Sequence, residues 1–402
     1  MRKTRGSIAC LGIVILAGIG SLTGASLPTA KPEAVGMSSD ALGRLDGMIA
    51  EAVARKDFPG AVLLVTHKGR VVYRKAFGLS QWVPEERPLS ADMIFDLASV
   101  TKPVATATSV MLLVERGQIR LWDKVKVYVP EFSTWYGEKG IPGEDARLYN
   151  LLTHTSGLPP YTDPKEAAKK LGDPCSMADL VGLIARIPKE MPVGREFVYS
   201  CLNYITLAHI VHKVSGETID EFAAENVFKP LGMTRTFYRP PAALLDQCVP
   251  TEVFDGRPLR GIVHDPLARL QGGVSGNAGL FSTADDLAVF AQMLLEGGTY
   301  GGVRILSPLT VSRMTEIYPK VGDSGRGLGW DIDTDYSNLR GDLFGLGSYG
   351  HSGYTGTSIW IDPETRTSVI LLTNRVHPND KGDIIALRGK VANVVAAAIR
   401  GR

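Results

Sequence analysis

Cysteine is scarce in this chain, with four in 402 residues. Cys10 lies in the apolar start, which leaves Cys175, Cys201 and Cys248. Three thiols cannot build a disulfide framework, and at least one must stay unpaired or meet another chain. One bridge among them remains open. No Cys-x-x-Cys or His-Glu-x-x-His spacing occurs, so no zinc site is expected and no metal or cofactor is read from the chain. An excess of one charge is also missing. Lys and Arg number 44 against 42 Asp and Glu, for a net +2, which gives no reason to expect a nucleic-acid partner. After the first 25 residues no apolar run approaches the ~20 residues that a membrane-spanning helix needs. The Gly-x-Ser-x-Gly elbow of α/β-hydrolases is absent. Gly322-Asp-Ser-Gly325 looks like a trypsin-type nucleophile segment, but no matching histidine segment precedes it and its setting is a Gly-rich loop.

What is present is ordinary globular composition: 44 % hydrophobic and 21 % charged, enough for one large or two interlocked domains. Arg2, Lys3 and Arg5 precede an apolar stretch from Ile8 to Leu22 and then Thr23-Gly24-Ala25. A basic start, a short apolar core and small residues read as a secretory signal peptide over 1–25. The mature protein is then periplasmic or extracellular, with no stable membrane span; an uncleaved anchor is the alternative. Cys10 comes too early for lipid attachment.

Residues 26–37 read as a linker. Ser38-Ser39-Asp40 supply capping residues before Leu42, Leu45, Ile49, Ala52 and Val53, which recur at helical spacing. Two β-rich runs, 61–66 and 71–76, flank a Gly-containing turn and predict a hairpin. The middle holds helical patches, the clearest at 104–115 and 202–214. Strands return at 357–361 and 368–372, and a helical run at 384–400 closes the chain. The pattern predicts an α+β fold: an antiparallel sheet from 38–98 and 281–402, flanked by helices, with a mostly helical insertion over 99–280. A site is expected in the cleft between the two parts.

Ser99-Val100-Thr101-Lys102, just before Pro103, suits the first turn of a helix. Residues i and i+3 share a face there, so the serine hydroxyl and lysine amine can meet. A serine needs a base to become a nucleophile, and a desolvated neutral lysine can serve. The helix start adds positive dipole.

The surroundings make this pair specific. Ile94-Phe-Asp-Leu-Ala-Ser-Val-Thr-Lys102 is followed by Glu115-Arg-Gly-Gln-Ile-Arg-Leu-Trp-Asp-Lys124 and Leu151-Leu-Thr-His-Thr-Ser-Gly-Leu158. Lys229-Pro-Leu-Gly-Met233, Gly279-Leu-Phe-Ser-Thr-Ala-Asp-Asp286 and Gly350-His-Ser-Gly-Tyr-Thr-Gly-Thr357 come later, in that order. Over roughly residues 40 to 395 this set closely resembles the class C β-lactamase-like branch of the serine β-lactamase and penicillin-binding-protein superfamily. That branch includes esterases, DD-peptidases and muropeptide amidases.

The resemblance implies a β-lactamase-like fold and a secreted serine hydrolase working through an acyl-enzyme. Ser99 and Lys102 match the family's Ser-x-x-Lys element. Tyr199, after Pro192-Val-Gly-Arg-Glu-Phe-Val198, matches the tyrosine of Tyr-x-Asn and would shuttle a proton. His351-Ser352-Gly353 matches Lys-Thr-Gly, and the N–H groups of Ser99 and Tyr354 would form the oxyanion hole.

Two departures stand out. Cys201 replaces the Asn that contacts the amide of β-lactams and peptides, and a thiol bonds weakly. His351 replaces Lys, so the expected cation at a substrate carboxylate would depend on pH near neutrality. Both point to an esterase-like member acting on a small-molecule ester or amide. The alternatives are a peptidoglycan-directed amidase or DD-peptidase acting on cell-wall muropeptides, a weak β-lactamase, and a non-catalytic cell-wall binding or sensing domain. His154 and Asp265 read as scaffold.

Overall fold

The computed structural model describes residues 26–137, 140–318 and 321–401; the signal-peptide expectation over 1–25 lies outside them. The architecture grows from strand β1 (Gly60–His67), which is buried along its whole length. Successive side chains of a strand point to opposite faces. Ala61, Leu63 and Val65 therefore enter one core, while Val62 and Leu64 enter another.

β1 turns through Lys68 and Gly69, at φ +49° and +76°, into β2 (Arg70–Gln81). Two successive left-handed residues are what a tight hairpin turn requires. β3 (Arg87–Pro88), β4 (Gly325–Arg326), β5 (Asp331–Asp333), β6 (Tyr349–Ser352), β7 (Ser358–Asp362) and β8 (Thr367–Thr373) complete the sheet. The order is β4-β5-β6-β7-β8-β1-β2-β3, and neighbours run antiparallel. The sheet thus joins residues from both ends of the chain, as the sequence predicts. In register, Leu63 faces Leu371 and Leu64 faces Ile370.

Helices α1 (Ser39–Ala54) and α5 (Ile385–Ala397) cover one face. Leu45, Ile49, Val391 and Val395 pack there with Leu63 and Leu371. α1 starts where Ser38 Oγ accepts the Ala41 N–H at 3.3 Å, the expected cap. On the other face lies α4 (Ala284–Leu295), capped by Thr283, and behind it the helical region. Here α2 (Thr108–Glu115) follows a wide helical turn over Lys102–Ala107. α3 (Cys201–Ser215) is buried over Leu202–Ala208, as a helix apolar on most sides must be. Between β3 and the Ser99 segment, Phe95–Asp96 pairs with Leu280–Ser282 in a small second sheet, which leads into the helical region. Among the described residues no helix is long and apolar enough to cross a membrane.

Five histidines sit in this framework with their basicity reduced. Burial holds His67 down to about 4, and His154, His209, His351 and His377 are lowered for the same first reason. Their unfolded counterparts take up protons near pH 6.5, so stability rises with pH across that range and is lost as pH falls from about 6.5 toward 4. Two buried carboxyls, Asp286 (raised to about 6) and Asp96 (also raised), act in the opposite sense. The histidines outnumber them. We expect a lower melting temperature at pH 5 than at pH 7 by calorimetry, and an equal or higher value at pH 5 would contradict this assignment.

Candidate active site

Ser99 occupies a short 3-10 turn, Ala98–Val100, at the end of the small-sheet strand Phe95–Asp96. Its approach is bent. Ala98 lies at φ +46°, a left-handed conformation that costs a residue with Cβ roughly 1–2 kcal/mol. The buried Asp96 carboxylate offsets this by accepting the Ala98 N–H at 2.9 Å and the His264 N–H at 2.7 Å.

Lys102 is fully buried, and its Nζ donates to Ser99 Oγ at 3.0 Å, to the Asn277 carbonyl at 3.0 Å and to Cys201 Sγ at 3.4 Å. The Tyr199 ring centre is 5.0 Å from the same nitrogen. Burial works against the Lys102 ammonium, but the facing groups of Cys201, Tyr199 and Asp265 outweigh it and raise its pKa above the ordinary lysine value. An amine held neutral by desolvation, the expectation from sequence, is therefore not what these surroundings favour. They favour the ammonium, which must give up a proton before Nζ can accept one. Burial pushes the Cys201 thiol up, and Cys175, Cys201 and Cys248 are all free thiols.

Strand β6 borders the site with His351, Ser352 and then Gly353. The family-type glycine has a steric reason here. A Cβ at Gly353 would stand 2.3 Å from the Leu97 carbonyl oxygen and 2.2 Å from Thr357 Oγ1. That close approach brings the Tyr354 segment beside Ser99. Two hydroxyls fix it, with Thr357 Oγ1 donating to the Leu97 carbonyl at 2.9 Å and Thr355 Oγ1 to the Asp96 carbonyl at 2.8 Å. From α5, the half-buried Arg388 donates to the carbonyls of Gly353 and Thr357 at 3.0 and 2.8 Å.

His351 behaves differently from the sequence expectation. Its Nδ1 lies 2.8 Å from the Ser352 carbonyl, an acceptor only, so Nδ1 carries the proton. Nε2 then accepts from Arg326 Nη2 at 3.0 Å. Burial and the nearby Arg326 and Lys102 charges hold the ring's pKa well below the usual histidine range. His351 is a neutral imidazole near pH 7 and does not switch there. Cations do line the pocket, as Arg326, Arg375 and Arg388; the one bonded to His351 is Arg326, whose side chain is 3 % exposed and paired with Asp331 at 3.3 Å.

Ser99, Tyr199, His351, Ser352, Gly353 and Tyr354 line one cavity of about 550 Å³, within the range of small-molecule sites. Lys102 and Cys201 stand behind it. The structure thus brings together all eight residues singled out from sequence. It adds Arg326, Arg388 and the apolar wall residues Tyr336, Ile384 and Ile385. Thr355 and Thr357 lay inside a quoted motif, but their hydroxyl roles follow only from tertiary contact.

A sequence model of the family described as Beta-lactamase matches residues 45–393. The chain belongs to the β-lactamase family. Within it, this β-lactamase-family chain is 32 % identical over 381 residues to a Salmonella agona (strain SL483) protein provisionally named D-alanyl-D-alanine carboxypeptidase, covering 87 % of this chain and 86 % of that one. The Salmonella typhi counterpart is 33 % identical over the same span. Among solved structures, the hydrolase EstCE1, with promiscuous acyltransferase activity, superposes with a TM-score of 0.72 at 24 % identity, covering 90 % of this chain and 99 % of that one. A family VIII carboxylesterase gives 0.68 at 21 % identity, with the same coverage. These two share the fold, and the chain is a β-lactamase-fold hydrolase.

The hydroxyl strap yields a stability prediction. Thr357→Val keeps the shape but removes one of two donors to the buried Leu97 carbonyl, which keeps the Val100 N–H at 3.1 Å. Denaturant unfolding should show a loss of about 0.5–1.5 kcal/mol, and an unchanged midpoint would show that the strap carries no stability.

Proposed function

We propose that this protein is a secreted serine hydrolase that cleaves small, neutral acyl esters through an acyl-enzyme. The observation that carries this reading is the 3.0 Å contact between Ser99 Oγ and the buried Lys102 Nζ, beside Tyr199 and at the cavity wall. Ser99 Oγ attacks the ester carbonyl, and its proton passes to the coupled Lys102–Tyr199 pair. The resulting oxyanion takes the N–H groups of Ser99 and Tyr354. Collapse breaks the bond to the alcohol oxygen, which receives the proton back from the pair. Water then repeats the sequence on the acyl-enzyme. A signal peptide over 1–25 would place this chemistry in the periplasm or outside the cell.

Ester preference rests on what faces the cavity. Cys201 is a thiol where an amide side chain of the substrate would need an amide partner. Arg326 already places one terminal amine on Asp331 and the other on His351, so a carboxylate would have to compete for its fork. A second reading, a carboxypeptidase acting on cell-wall peptides, is favoured by the names of the Salmonella relatives and by the presence of Arg326 at the cavity.

The catalytic unit is tested first. Ser99→Ala and Lys102→Ala should each remove nearly all turnover and fluorophosphonate labelling, with no further loss in the double variant. Labelling that survives Ser99→Ala would point to another nucleophile or to a binding domain. The pH profile is the second test. Because the pair must lose a proton before it can act as base, and Lys102 is shifted upward, kcat/KM should climb as pH rises through the alkaline range. His351 should add no inflection near 6.5; a limb there, lost in His351→Gln, would overturn its neutral assignment.

Substrate choice is the third. Each missing hydrogen bond to a buried or charged partner costs about 1.5–3 kcal/mol, roughly tenfold or more in rate. Two such losses predict that a butyrate ester exceeds a chromogenic cephalosporin in kcat/KM by about two orders of magnitude. Cys201→Asn should move that ratio toward the lactam. A cephalosporin or a D-alanyl-D-alanine peptide cleaved as fast as the ester would replace the ester reading.

A further inference from the structure

Tyr199 stands in a loop just ahead of α3, and nothing in the acyl-transfer scheme explains what fixes it there. One residue outside that scheme meets the loop on both sides of the tyrosine, with its backbone on one side and its ring on the other. The carbonyl of His154 accepts the Val198 N–H at 3.0 Å. Its ring Nδ1 accepts the Ser200 N–H, also at 3.0 Å. Between those two anchors the imidazole lies against the phenol, with ring centres 4.4 Å apart and planes tilted by 32°. His154 is fully buried and sits at φ +58°, a strained conformation for a residue with Cβ. Such strain persists where the surroundings over-determine it.

The ring's own bonds separate holding from proton transfer. Nδ1 is occupied by a backbone N–H, so the proton sits on Nε2, and Nε2 has no hydrogen-bond partner among the described residues. No proton path leads through such a ring. Ser200 N–H, by contrast, is buried and has no turn of α3 before it to accept it, so it depends on Nδ1.

We infer that His154 is a positioning residue: it holds the Val198–Ser200 loop at both ends and thereby fixes the Tyr199 hydroxyl relative to Lys102 and Ser99. This deepens, and rests on, the reading of those three as one catalytic unit. The catalytic cost of losing His154 should fall on kcat, because the loop carries the proton-transfer group. KM should change little.

Two variants separate the parts. In His154→Asn, Oδ1 takes the place of Nδ1, and asparagine tolerates the left-handed backbone. His154→Gly keeps the backbone conformation and removes the acceptor. Turnover of a butyrate ester is measured per active site, titrated with a fluorophosphonate, together with melting temperature. We expect His154→Gly to lose about tenfold or more in kcat with KM within about threefold, and His154→Asn to stay within about threefold of the parent. Wild-type kcat per titrated site in His154→Gly would overturn the inference, since a purely structural role lowers only the melting temperature. So would an inactive His154→Asn with an unchanged melting temperature, which would give the ring itself the proton. Should His154→Gly fail to fold, His154→Gln replaces it: its amide reaches past the Nδ1 position, and kcat equal to that of His154→Asn would count against us. Ser99→Ala is assayed in parallel. Activity surviving there overturns the catalytic reading and the inference with it. An inactive Ser99→Ala beside an unaffected His154→Gly overturns the inference alone.

Discussion

An amine taken wholly out of water must be surrounded by partners, and Lys102 has no exposure at all. Removing an unpaired ammonium from water costs several kcal/mol even after relaxation. The partners come from three separated stretches: Ser99 one turn earlier, Cys201 at the first residue of α3, and the Asn277 carbonyl just before the strand Leu280–Ser282. Satisfying one nitrogen therefore obliges the helical region and the loop ahead of α4 to converge. Thr106 Oγ1 strengthens the convergence by donating to the Gly276 carbonyl at 2.7 Å. The wide turn over Lys102–Ala107 puts the lysine and this threonine on the side facing that loop. Wide turns of this kind are often found at functional sites.

A second requirement is harder to meet by local sequence. Ser99 and Tyr354 are 255 residues apart in numbering, yet both border the same cavity. Coordinated amides are useful only if their separation is fixed within a fraction of an ångström. The chain achieves this with backbone acceptors. Carbonyls of Asp96 and Leu97 receive the Thr355 and Thr357 hydroxyls, while Arg388 holds two carbonyls on the strand side. Burial works against the Arg388 charge and pushes its pKa down to about 9, so the guanidinium is retained against its own desolvation. Helix α5 is in this way connected to the turn that carries Ser99.

What could be read from the sequence follows from how far each signal reaches. The hairpin around Lys68-Gly69, the strands at 358–362 and 367–373, and helices α1, α3 and α5 are local patterns of period two or 3.6, and they stand where the pattern puts them. The eight site residues were legible because they fall in ordered motifs. Arg326 was not. It lies on a two-residue strand in a Gly-rich stretch, and only its tertiary pairing with Asp331 and His351 gives it meaning. The charge state of His351 was misjudged for the same reason. An imidazole's pKa is set by burial and by neighbours such as Arg326 and Lys102, and neither can be read from the motif. His154 reads from sequence as scaffold, and the phenol against its ring comes from a loop more than forty residues away.

Charge compensation inside the cavity has a consequence for selectivity. The three arginines at its wall are all engaged internally: Arg326 with Asp331, Arg375 with Asp380 at 2.8 Å, and Arg388 with main-chain carbonyls. His351 adds no charge near neutral pH. A new anionic partner would compete with these bonds, although the buried Nε of Arg326 and of Arg388 has no hydrogen-bond partner among the described residues. Tyr336, Tyr354, Ile384 and Ile385 give the cavity an apolar wall, beside the polar side chains of Asp335, Asn338 and Asp383. Tyr354 is itself held as a rigid plate. Its hydroxyl donates to Asp380 at 2.6 Å, Arg375 lies 4.5 Å from its ring centre, and His264 stacks at 5.6 Å. Each apolar group covered by such a wall contributes about 25 cal/mol per Å², with no directional demand. On the proposed ester reading, selection would rest largely on the shape and apolar area of the acyl group that this wall covers.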